Sequence, residues 1–239
     1  MKAFYDALRP AFGPLAQNQV DGIGVLLKAS EGMPLRHRAY VLATAWHETG
    51  PASSPLHMTP RREIWGPTPA QKGYEGRADL GNSILGDGKR YMGRGFVQLT
   101  GRRNYEKAAS LTGKDLVGNP DLALDAQIAA AVMVDGMRRG WFTGKRLTDF
   151  DNYLNMRRVV NGTDKAALIA DYAGTFEKAL RALPPVVLPV SAPIPPPPDI
   201  EPPPAAPQQA APAAKKIAAI VIGAMMALFA ALAAWMTKG

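Results

Sequence analysis

A proline-dominated stretch followed by an uncharged apolar one sets the outer limit on what this chain can fold into. Residues 184–214 hold 13 of the chain's 22 prolines, including the run Pro195 to Pro198. Proline lacks an amide hydrogen and has a fixed φ, so such a run favours polyproline II, a semi-rigid spacer. At about 3.1 Å per residue it would reach on the order of 90 Å fully extended. A ligand for proline-binding domains is the alternative use of such a segment. Ile217 to Met236 then gives twenty residues without a charge. At about 1.5 Å rise per residue a helix of that length matches a hydrocarbon core of about 30 Å. Lys215, Lys216 and Lys238 flank it and Trp235 sits at its edge, as interfacial anchors do. The expected organisation is one globular domain in residues 1–183, a linker in 184–214 and a C-terminal transmembrane anchor in 215–239. The start, MKAFYDALRPAFGPLAQ, has no apolar h-region, so no secretory signal is expected.

About 180 residues are enough for one well-buried core, and their periodicity is helical. Residues 1–29 read as a helix, a turn around Phe12-Gly13-Pro14 and a second helix from Gln17 to Lys28. From Pro34 to Thr49, Leu35, Ala39, Leu42, Ala43 and Trp46 recur at three- and four-residue spacing, one apolar helical face. Gly50-Pro51 ends it. Pro51 to Gly88 lacks clean periodicity, and an irregular stretch of that length in a compact domain usually lines a site. Tyr91 to Leu99 reads as a short extended piece, Asn104 to Leu111 as helix, and Asn119-Pro120-Asp121 as a turn. Asp125 to Arg139, 148–160 and Asp164 to Ala182 complete a mainly α body.

The chain has no cysteine, which excludes disulfides, thiolate metal sites and a cysteine nucleophile. Residues 1–183 carry 25 Lys and Arg against 18 Asp and Glu, so the body is basic and drawn to anionic polymers. The arginine pairs are scattered, without a recognition-helix or RNP pattern, so nucleic acid is not an expected partner. His37, His47 and His57 do not form H-E-x-x-H, because Thr49-Gly50-Pro51 follows Glu48. No metal and no cofactor are expected.

The candidate chemistry lies in residues 40–105. Glu48 falls on the last turn of a buried helix, beside Trp46. The partial negative charge of a helix C-terminus and apolar neighbours both favour a retained proton, as a general acid needs. A solvated helix-end glutamate is the plainer alternative.

WHETG, REIW, RYMGRGFVQLTGRRNY and RRVVNGTDKA, in this order over residues 34–181, resemble glycoside hydrolase family 19, which holds class I chitinases and lysozyme-like enzymes of phages and bacteria. The resemblance implies a lysozyme-like (chitinase class I-like) helical domain with irregular cleft loops, inverting chemistry and two carboxylates. Glu48 would be the acid and Glu63 the base, about 6.5–9.5 Å apart around a water. Glu63 follows Glu48 by fifteen residues. The spacing departs from plant chitinases, and HMTPRREIWGPTPAQKGYEGRADL is closer to the phage-type branch. Arg62 would keep Glu63 ionised; a surface ion pair with Arg61 or Arg62 is the alternative, and Glu75 and Asp79 are the fallback carboxylates.

The resemblance further places Gln98, Thr100, Asn104 and Tyr105 along the sugar cleft. Thr100 replaces a serine and would help hold the attacking water. Asn161 matches a substrate-binding asparagine, with an Asn-Gly turn as the structural alternative. His47 would orient Glu48 or the sugar, and Trp65, Tyr91 and Trp141 are candidates for stacking on sugar rings. Gly93 and Gly95 read as tight backbone. The expectation is a peptidoglycan-cleaving enzyme of phage-type lysis, held at the bacterial inner membrane through residues 217–236 and released by a holin-type partner. A chitinase on the same fold and a non-catalytic wall-binding membrane protein are the alternatives.

Overall fold

The computed structural model describes residues 1–183. The linker and the proposed membrane span therefore lie outside the described residues. Among the described residues no helix is long and apolar enough to cross a membrane.

Nine α-helices and a two-stranded ribbon make up the described fold, in the order α1 (Lys2–Phe12), α2 (Gln17–Ala29), α3 (Leu35–Glu48), β1 (Arg61–Arg62), α4 (Pro69–Lys72), α5 (Asp87–Arg90), β2 (Arg94–Gly95), α6 (Arg102–Thr112), α7 (Ala126–Arg139), α8 (Tyr153–Met156) and α9 (Ala166–Arg181). The axis of the fold is α3. Every residue from Ala39 to Trp46 is buried, so this helix is enclosed on all sides and not along one face as its periodicity implied. It packs most extensively against α9, which also receives α1. Phe12 stacks on Trp46 with ring centroids 4.2 Å apart, and Phe176 closes the same cluster. A second, smaller core gathers Tyr91, Leu99, Tyr105, Ala108, Leu116, Ala123 and Val132 under α6 and α7.

Local chemistry explains the helix ends. Asp125 caps α7 by accepting from the amides of Gln127 and Ile128, and Gly140 ends it in the left-handed region at φ 75°. That is a strong stop–start pair. The expected irregular stretch from Pro51 to Gly88 is irregular, but firmly held. His57 is fully buried between the Trp46 carbonyl (2.8 Å) and the Gln19 amide (2.9 Å), which ties the loop to the end of α3.

Two expectations need correction. Residues 148–160 do not form one helix. A 3₁₀ turn at Leu147–Asp149 is followed by extended backbone, the single turn of α8 and a second 3₁₀ turn at Arg157–Val159. Asp149 and Asn152 each hydrogen-bond a nearby backbone amide, at Arg146 and Asn155, which offers the chain local turns in place of a continued helix. The result turns Arg157 inward. The piece from Tyr91 to Leu99 is also less extended than expected. Arg94 and Leu99 exchange both backbone hydrogen bonds (3.2 and 2.7 Å), folding it into a tight loop with Gln98 at φ 55°.

Candidate active site

The last turn of α3 carries His47 and Glu48, and the β1 ribbon carries Glu63 one residue past its end. Arg61 joins the two elements: its guanidinium donates to the Thr49 carbonyl at 2.9 Å. A Cβ on Gly50 would stand 2.7 Å from Arg61 Nη1, and the glycine keeps that approach open.

Glu48 has a counter-ion that sequence reasoning missed. Arg157 Nη1 donates to Glu48 Oε1 at 2.5 Å, with the arginine side chain fully buried and the glutamate 14 % exposed. Arg157 Nε donates to the Asp164 carbonyl at 3.0 Å, and its Nη2 is buried with no partner among the described residues. The surroundings of Glu48 are thus not the purely apolar helix end expected; a fixed cation sits on one carboxylate oxygen, and among the described residues nothing hydrogen-bonds the other. The Tyr40 hydroxyl, also buried and without a partner among the described residues, is kept from ionising by burial, with Arg157 and Glu48 pulling in opposite directions. Burial likewise pushes His47 below its usual range, against the pull of Glu48, so its imidazole is neutral near neutral pH.

Glu63 is held differently. Its backbone amide donates to the Gly93 carbonyl at 2.8 Å, and the Gly93 amide donates back to Oε2 at 3.0 Å. Gln71 Nε2 (3.0 Å) and the Tyr74 hydroxyl (3.3 Å) donate to Oε1. Arg62, expected to keep Glu63 ionised, instead pairs with Asp121 at 2.5 Å, and Arg61 serves Thr49. Neutral donors therefore hold this carboxylate. The fallback carboxylates are already engaged: Glu75 accepts from the amides of Gly86 (2.7 Å) and Gly88 (3.0 Å), and Asp79 binds the Arg77 guanidinium.

Gln98 and Thr100 lie on the loop that returns from Gly93. Gln98 Nε2 reaches the Arg61 carbonyl at 3.4 Å, and Thr100 Oγ1 donates to the Gln98 carbonyl at 2.9 Å. A Cβ on Gly93 would stand 2.4 Å from Gln98 Oε1, so glycine there lets the Gln98 side chain fold across the ribbon. Asn104 donates to the Thr100 carbonyl at 2.9 Å. Asn161 donates its backbone amide to the Arg157 carbonyl at 2.9 Å, while its side chain accepts from Gly162, so it also makes the Asn-Gly turn.

The aromatics divide. Trp65 is half-buried, its ring centroid 6.4 Å from that of Tyr74, and Trp141 is half-buried against the second core. Tyr91 and Tyr105 are a correction. They are 1 % and 0 % exposed, and their hydroxyls bind the Val117 and Met92 carbonyls. Neither ring offers a face to a sugar; both build the second core. Among the described residues no group of three or more His, Asp or Glu is placed to hold a metal ion.

Residues 69–146 match the model of the glycoside hydrolase 19 family, chitinase class I. The match covers about a third of the chain. Over 74 residues it is 43 % identical to acidic endochitinase Q of Nicotiana tabacum, covering 30 % of this chain and 26 % of that protein. Chitinase 8 of Oryza sativa subsp. japonica is 62 % identical over 32 residues, or 13 % of this chain and 12 % of the relative. These matches thus span about a quarter or less of the relatives' own length. A bacterial family 19 chitinase superposes loosely, with TM-score 0.49 and 21 % identity over 73 % of this chain and 93 % of its own. The matched segment contains Gln71, Gly93, Gln98, Thr100 and Asn104, whereas Glu48, Glu63, Arg157 and Asn161 lie outside it.

Proposed function

We propose that the chain is a glycoside hydrolase that cleaves β-1,4 bonds in polymers containing N-acetylglucosamine, by inversion. The supporting observation is that two carboxylates, Glu48 and Glu63, are each held by their own partners on elements joined through Arg61 and Thr49. In its protonated form Glu48 gives its proton to the glycosidic oxygen from the carboxyl edge opposite the Arg157 contact, and the bond from that oxygen to the anomeric carbon breaks. The carboxylate so formed keeps the Arg157 hydrogen bond, which strengthens as its charge develops. Water attacks the anomeric carbon from the opposite face and loses a proton to Glu63. Thr100 and Gln98 flank the water on the Glu63 side, and Trp65 provides a platform for a sugar ring.

Peptidoglycan is the polymer this reading favours, because the body is basic and an apolar span at 217–236 suits a membrane-held enzyme of host lysis acting with a holin-type partner. Chitin is the second reading, favoured by the names of the relatives, all chitinases. The test is digestion of purified peptidoglycan and chitin oligomers by the wild-type chain and by Glu48→Gln, with new reducing ends identified by mass spectrometry. N-acetylmuramic acid ends that vanish in the variant support the first reading, and cleavage of chitin alone supports the second. Cleavage that survives Glu48→Gln removes the assignment. Recovery of the full chain wholly in the soluble fraction would remove the anchor.

A further inference from the structure

We infer that Gln71 is a positioning residue that holds the base Glu63 and the aromatic Trp65 in register through a single buried amide, an inference that rests on the role assigned to Glu63 above. Gln71 is 1 % exposed. Its amide oxygen accepts from the backbone amides of Gly66 (3.0 Å) and Thr68 (2.9 Å). Its nitrogen donates to the Ile64 carbonyl (2.7 Å) and to Glu63 Oε1 (3.0 Å). Every donor and acceptor of the side chain is thereby used. Rotating the amide by half a turn would set its NH₂ against two backbone N–H groups, so the orientation is determined and an N–H must face Glu63.

The same amide grips the peptide on each side of Trp65, at Ile64 and at Gly66. Thr68 in turn accepts from the Gln71 backbone amide at 3.3 Å, so loop and helix brace each other. A fully satisfied buried amide is costly to displace.

The charges around Glu63 make the arrangement testable. On its own ribbon, Arg61 is turned to Thr49 and Arg62 to Asp121. From β2, Arg94 faces Asp121 and the Tyr105 hydroxyl. Beyond α4, Tyr74 meets Glu63 with Arg77 acting on that tyrosine, and Glu48 lies across the Arg61–Thr49 link. Among the described residues no cation is hydrogen-bonded to Glu63, so a carboxylate introduced at position 71 would act on it with little compensation.

The experiment is a carbon-13 NMR titration of the Glu63 carboxyl in the full chain, assigned with Glu63→Gln, for wild type, Gln71→Glu and Gln71→Leu. Fluorotryptophan NMR of Trp65, assigned with Trp65→Phe, and pH–rate profiles accompany it. Gln71→Glu should raise the Glu63 midpoint by about one pH unit or more, as two carboxyls that share a site do, and move the acid limb of kcat/KM with it. Gln71→Leu should shift the Trp65 resonance and lower kcat on the order of 10²-fold, the scale of a 1 Å misplacement. A Glu63 midpoint unchanged in Gln71→Glu, or a Gln71→Leu variant that loses only thermal stability, would overturn the inference. Should the wild type cleave neither polymer, the functional reading fails, while both NMR measurements still decide the role of Gln71.

Discussion

Replacing Arg157 by methionine removes a fully buried guanidinium cation while keeping an apolar stem of similar length. What it leaves behind is a Glu48 carboxylate that is 14 % exposed, with its Arg157 contact at 2.5 Å gone, and an Asp164 carbonyl without its donor. Breaking a buried ion pair by deleting one partner costs about 3–5 kcal/mol. In a domain of this size that lowers the melting temperature by about 6–20 °C. The assay is thermal unfolding of wild type, Arg157→Met, Glu48→Gln and the double variant. Glu48→Gln retains an acceptor for Arg157 but no charge, so the cycle isolates the charged contact, with an expected coupling of about 2 kcal/mol. Arg157→Lys should rescue little, because one ammonium cannot serve both Asp164 and Glu48 as the guanidinium does. A melting temperature for Arg157→Met indistinguishable from wild type, or a coupling near zero, would refute the reasoning.

Other outcomes follow from single contacts. In α2, Gly22→Ala should destabilise by about 1–3 kcal/mol through overpacking, since its Cβ would fall 1.9 Å from the Met58 carbonyl oxygen. Gly24→Ala, with nothing within 4 Å, should stabilise the same helix by about 0.5–1 kcal/mol; chemical denaturation of both checks the contrast. Asp87, 2 % exposed and held by Arg102, has its carboxyl pushed below its ordinary value of 3.8, first by the hydrogen bond from that guanidinium. A depressed folded-state value means the stabilisation is present above pH 3.8 and is lost as pH falls through the lower folded value. The stability gap between wild type and Asp87→Asn should therefore hold from neutral pH down to about pH 5 and close in stronger acid, as read by denaturation at a series of pH values. Glu63→Gln should abolish turnover while leaving oligosaccharide binding intact, as isothermal titration calorimetry would measure.

Much of this was legible because the signals are local. The start and end of α7 could be read from Asp125 and Gly140, and the length of α3 from its apolar spacing and Gly50-Pro51. Glu48 and Glu63 stood in motifs whose order carried the resemblance. What escaped is non-local. Arg157 lies 109 residues from Glu48, and its place in one of several scattered arginine pairs does not set it apart. Gln71 and Tyr74 were unremarked because nothing in PAQKGY announces that a glutamine will be buried against a carboxylate. Tyr91 was expected to stack on a sugar and Tyr105 to line the cleft, yet their hydroxyls found carbonyl partners and their rings a core. The break within 148–160 turns on Asp149 and Asn152 bonding their own backbone, a competition that periodicity does not register.

The most direct test of the central claim is the anomeric configuration of the first product. Proton NMR during the opening minutes of digestion of a chitin hexamer, or of uncrosslinked glycan strands, resolves the α and β reducing ends before they interconvert. If Glu48 protonates the leaving oxygen while Glu63 directs water to the opposite face, the α-anomer is formed first. A β-anomer appearing first would mean that a nucleophile on the enzyme, or the substrate itself, retains the configuration, and the assignment of Glu63 as base would be contradicted.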